Sequence, residues 1–71
     1  MPDPSVEEKL TILLSHWIEH NRGHAREFRE WAERARQAGH SDVGDDITKA
    51  AEQMNQANEF LISALAKREE K

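Results

Sequence analysis

A chain of 71 residues in one continuous pattern is at most one domain, at a size where a single hydrophobic core supplies about 3–5 kcal/mol. It has no cysteine, which excludes a disulfide framework and any thiolate metal site. Fourteen acidic against ten basic side chains give a net charge of −4, dispersed along the chain, which argues against nucleic acid or an anionic membrane as partner.

The start, Met1-Pro2-Asp3-Pro4, has neither the basic opening nor the apolar run of a secretory signal, and its two prolines disfavour helix. Residues 1–5 are therefore expected to be a disordered lead. No stretch approaches the ~20 apolar residues that span a bilayer, so a cytoplasmic location is expected.

Ser5 is placed to cap a first helix over residues 6–38, with Glu8 completing a capping box. Val6, Leu10, Leu13, Leu14, Trp17 and Phe28 recur at steps that share one helical face, and the stripe continues through Trp31, Ala35 and Ala38. Gly23 interrupts good helix formers at a cost of about 1 kcal/mol relative to Ala, but the register is the same on both sides of it, so one helix is expected to run through. Ala38-Gly39 supplies the stop, with Gly39 as a left-handed residue after the last turn.

Residues 39–41 form the turn, and Ser41 or Asp42 caps a second helix over residues 42–67, followed by a frayed tail over 68–71. Its stripe runs from Val43 through Ile47, Ala50, Ala51, Met54 and Ala57 to Asn58, Leu61 and Leu65. So short a connection makes the helices antiparallel neighbours. The fold class is all-α: an antiparallel two-helix hairpin. Ile12, Ile18, Phe60 and Ile62 fall off these stripes, and with so thin a core they point to a homodimer that completes a four-helix bundle.

Three of the four histidines, His16, His20 and His24, recur every fourth residue in the first helix. With His24 as reference, Trp17, Leu13 and Trp31 lie about 20° to either side, His20 about 40° away and His16 about 80° away. The histidines therefore cut obliquely from the solvent flank into the apolar stripe. Imidazoles four residues apart can share a metal ion, whereas His16 and His24 are about 12 Å apart along the axis, which makes three ligands of one ion from a single straight helix harder. The expected site is one adjacent pair plus a ligand from elsewhere, with Glu19 a nearby carboxylate. A structural alternative stands beside it, in which His24, Asn21 and Asn58 form a buried polar layer that fixes register or oligomeric state.

His16-Trp17-Ile18-Glu19-His20 also matches the H-x-x-E-H string of the inverzincin metalloproteases. Those enzymes need a third protein ligand and a cleft, which a helical hairpin does not offer. No Gly-rich phosphate loop or Ser-His-Asp arrangement occurs, so no catalytic residue is expected and the chain is not read as an enzyme.

From His16-Trp17-Ile18-Glu19-His20-Asn21 through His24-Ala25, Phe28 and Trp31-Ala32, the chain resembles a small helical domain of bacteria and archaea with the pattern H-W-I-E-H-N-x-x-H-A-x-x-F-x-x-W-A. Ala50-Ala51-Glu52, Met54 and Ala57-Asn58 are similar to that domain's second helix. The resemblance implies a setting near nickel-handling proteins. It therefore implies metal trafficking, with a metal-handling protein as partner and His16, His20 and His24 as the residues carried over; with the imidazole donors, the expected cofactor is a divalent transition metal, nickel or zinc.

Overall fold

The computed structural model describes residues 4–69, which form two helices, α1 (Pro4–Gln37) and α2 (Ser41–Glu69), packed antiparallel along their length. The hairpin is a rod of 56 × 15 × 14 Å. Residues 1–3, 70 and 71, and with them most of the expected lead and tail, lie outside the described residues.

The first helix begins two residues earlier and stops one residue earlier than the sequence suggests, and the second is longer at both ends. The first begins at Pro4, because proline has no N–H to lose in the first turn and its fixed φ suits that position. Ser5 thus lies within the first turn of the helix. The second continues to Glu69. Gly23 lies in unbroken helix, with open space where a Cβ would project.

The turn is closed by backbone geometry. Gly39 takes φ +90°, the His40 N–H donates to the Ala35 carbonyl (2.8 Å) and the Gly39 N–H to the Arg36 carbonyl (3.0 Å). This is the Schellman arrangement that satisfies the last carbonyls of α1. The residue that precedes α2 is His40, whose carbonyl accepts from the Gly44 N–H at 3.0 Å; Ser41 and Asp42, the expected caps, already lie in the helix. Arg36 then ties the two helices together, donating to Thr48 Oγ1 at 2.7 Å and to Asp45 Oδ1 at 3.2 Å. At the open end Arg68 Nε donates to the Glu7 carbonyl at 3.2 Å.

The core is built from a seam other than the most hydrophobic one. Leu14, Ile18, Ala25 and Ala32 of α1 are buried against Ala51 and Asn58 of α2. Ile18, expected off the stripe, is 5% exposed, whereas Trp17 is 40% and Trp31 54% exposed. The cause is close approach. A Cβ on Gly44 would lie 2.7 Å from the Ala32 carbonyl oxygen, so the helices near the turn meet backbone to side chain, and only small residues fit between them. The large side chains are displaced to one flank.

Candidate metal centre

The displaced side chains define the face on which the histidines stand. On α1 this second seam runs Leu10, Leu13, Trp17, His20, His24 and Trp31, alternating steps of three and four once position 27 is counted. An apolar groove lined by Phe28 and Trp31 of α1 and Ile47 and Ala50 of α2 shows that the helices present these residues on a common side.

Within the seam the rings form a ladder. His16 stacks on His20 (centroids 5.8 Å, planes at 23°), His20 meets His24 edge to face (4.4 Å, 88°), and His24 lies over Phe28 (6.1 Å, 28°). The decisive distance is between nitrogens: Nε2 of His20 and Nε2 of His24 are 2.9 Å apart. A hydrogen bond at that distance needs one nitrogen protonated and the other bare; a shared metal ion needs both bare. An ion about 2.0–2.1 Å from each nitrogen would subtend about 90°, the cis angle of an octahedral or square-planar centre, and a few tenths of an ångström of opening reaches a tetrahedral angle.

The other candidates are placed differently. His16 is exposed and touches the pair only through ring stacking. Glu19 lies on the opposite flank, where it lines a different groove with Ile18 and Arg22 and accepts from Arg22 Nη1 at 3.0 Å. His40 belongs to the turn. Among the described residues, no three His, Asp or Glu side chains converge as a group that could hold a metal ion.

The polar layer splits from the histidines. Asn21 Nδ2 donates to Asn58 Oδ1 at 3.0 Å, and Asn58 Nδ2 donates to the Ile18 carbonyl at 2.9 Å, so the buried Asn58 amide is bonded at both ends. His24 is half-buried and bonds to His20, not to Asn58. Sequence reading anticipated Asn21 facing Asn58, but the ladder to Phe28 and the separateness of the two polar clusters required the register.

Comparison with known proteins bears on this hairpin as a whole. Residues 10–68 match a domain described as a domain of unknown function, DUF8180. The chain belongs to that family. A protein of Archaeoglobus fulgidus described only as uncharacterized is 34% identical over 58 residues, 82% of this chain and 92% of that protein. No solved structure matches. The DUF8180 match spans both helices, including the His20–His24 pair and Asn58. Among the described residues no helix is long and apolar enough to cross a membrane.

Proposed function

We propose that this DUF8180 hairpin is a non-catalytic, cytoplasmic metal-binding accessory protein, in which His20 and His24 chelate a divalent transition metal through Nε2. The supporting observation is the 2.9 Å separation of those two nitrogens on an open face, with both rings held by their neighbours in the ladder. Imidazole nitrogen suits zinc, nickel, copper and cobalt, so the donor type selects a group of metals rather than one. Nickel is the ion to test first, on the strength of the sequence resemblance, with zinc beside it as a common partner of imidazole. His16 and Glu19 are not needed as ligands in this reading, since neither brings a donor atom to the pair.

Calorimetric titration of the full chain with Zn²⁺ or Ni²⁺ near neutral pH tests the proposal. Heat of binding with micromolar or tighter affinity, lost in His20→Ala, is the expected result, and no detectable heat overturns it.

A second reading is favoured by the Asn21–Asn58 pair. A polar contact in which the buried Asn58 amide is bonded at both ends can fix the register of a helical module whose role is association, with metal playing no part. Under either reading we place the hairpin in a homodimer that completes a four-helix bundle.

A further inference from the structure

The Nε2 pair stands at the outer edge of its flank. By helical spacing His20 lies about 40° further round from the buried Leu14 and Ile18 than His24 does, and His20 is exposed where His24 is half-buried. An ion set between the two nitrogens has the chain on one side and solvent on the other.

The neighbours that could add a donor are committed elsewhere. Phe28, next to His24 in the ladder, has none to give. His16 meets His20 by stacking, and ring nitrogens aim along the ring plane rather than across the stack. The Asn58 amide is bonded to Asn21 and to the Ile18 carbonyl, and Glu19 accepts from Arg22 on the opposite flank. Glu27, at the mouth of the Phe28 and Trp31 groove, is about 10 Å along the axis from His20. The chain thus brings the ion two nitrogens, and their 2.9 Å separation sets them at about 90°, on two adjacent positions of an octahedron or square plane.

Two adjacent positions are what a partly chelated ion has left. A divalent ion held by a tetradentate carrier of carboxylate and amine donors keeps two neighbouring positions for water. We infer that the substrate of the His20–His24 pair is such a carrier-bound divalent ion, which the pair engages at those two positions to form a ternary complex. This rests on the chelation proposed above. Each Nε2 lone pair replaces one water, so two metal–water bonds break as two metal–nitrogen bonds form, and no oxidation state changes. With both rings neutral, the proton that one Nε2 holds in the 2.9 Å contact passes through solvent to Nδ1 of the same ring. Two waters leave and no net proton does. The carrier itself needs room beyond the ion, which the exposed edge beside His20 supplies.

The test uses nickel–nitrilotriacetate, whose tetradentate carrier leaves two adjacent waters, and nickel–EDTA, whose hexadentate carrier leaves none. Calorimetric titration of the full chain near neutral pH with the first is expected to give one-to-one binding. That binding is expected to weaken at least about tenfold in His20→Ala and in His24→Ala and to be unchanged in His16→Ala, each variant checked for folding by circular dichroism. Nickel–EDTA is expected to give no heat, and equilibrium dialysis to leave nickel, nitrilotriacetate and chain together in equal amounts. A chain that binds Ni²⁺ alone but not nickel–nitrilotriacetate overturns the ternary complex and leaves the chelation standing. Binding of nickel–EDTA as well, or removal of nickel with release of free nitrilotriacetate, also overturns it. A chain that binds neither Ni²⁺ nor its nitrilotriacetate complex overturns the chelation and this inference together.

Discussion

The Cβ that Gly44 lacks would stand 2.7 Å from the carbonyl oxygen of Ala32 and 2.8 Å from Cγ of Arg36. The first contact is with backbone and cannot be relieved by a rotamer change, so α2 would have to move away from α1 beside the turn. Gly44→Ala is therefore expected to lower stability by about 1–3 kcal/mol, as overpacking does, despite alanine's better helix propensity. Gly23 provides the control. Its Cβ position is open, and Gly23→Ala is expected to raise stability by up to about 1 kcal/mol. Urea unfolding followed by circular dichroism reads both, and a Gly44→Ala chain as stable as wild type would contradict the close approach.

Asn58 concerns pairs rather than space. Asn58→Ala leaves the Asn21 amide half-buried without its acceptor and is expected to cost about 1–3 kcal/mol. Replacing both partners by leucine removes the unmet group together with the bond, so Asn21→Leu/Asn58→Leu should be less destabilised than Asn58→Ala, or even more stable than wild type. The same double variant should lose uniqueness of association, seen as mixed species in sedimentation. A double variant that sediments as one sharp species would show that the asparagines do not set the register.

Association makes stability depend on concentration. If folding and pairing are linked, the melting temperature rises with protein concentration, because mass action favours the assembled state. Trp17→Glu, on the exposed flank, should remove that dependence and lower the melting temperature, whereas Ile12→Glu, 68% exposed on the other side, should change neither appreciably. A wild-type melting temperature that is the same over a hundredfold dilution would contradict the dimer.

Metal and protons compete for the same ring nitrogens, so affinity should fall as the pH is lowered, with protons taken up as the ion leaves. Metal should also stabilise the fold by mass action, raising the melting temperature of wild type but not of His24→Leu. Without metal, His24→Leu is expected to be at least as stable as wild type, since it puts an apolar side chain on an apolar face. A stabilisation by metal that survives in His24→Leu would place the ion elsewhere.

The secondary structure was readable because its signals are local: helical periodicity, the Gly39 stop and a turn too short for anything but an antiparallel return. The choice of core seam was not. Two seams run along α1 side by side, and hydrophobicity favours the one with Leu13, Trp17 and Trp31, whereas the helices pack on Leu14, Ile18, Ala25 and Ala32. What decides is how closely the backbones approach, and that is set by Gly44 and Ala51 on the hairpin's other arm. The regular spacing of Leu14, Ile18, Asn21, Ala25, Phe28 and Ala32 was the available signal, obscured by small and polar members. His40 at the start of α2 was missed for a related reason: histidine is not a favoured capping side chain, and here its backbone carbonyl does the work.

For the site, wheel geometry separated His16 from His24 and left His20 between them. The rotamers that bring two Nε2 atoms to 2.9 Å depend on side-chain packing that spacing alone does not encode.

The most direct measurement is ¹⁵N NMR of the imidazole rings of the full chain during titration with Zn²⁺. The account predicts that the Nε2 resonances of His20 and His24 shift together and saturate at the same added metal, while the ring nitrogens of His16 and His40 do not take on ligand shifts. Nε2 signals of His20 and His24 that stay in place, or four histidines that move alike as weak surface binding would make them, would contradict it.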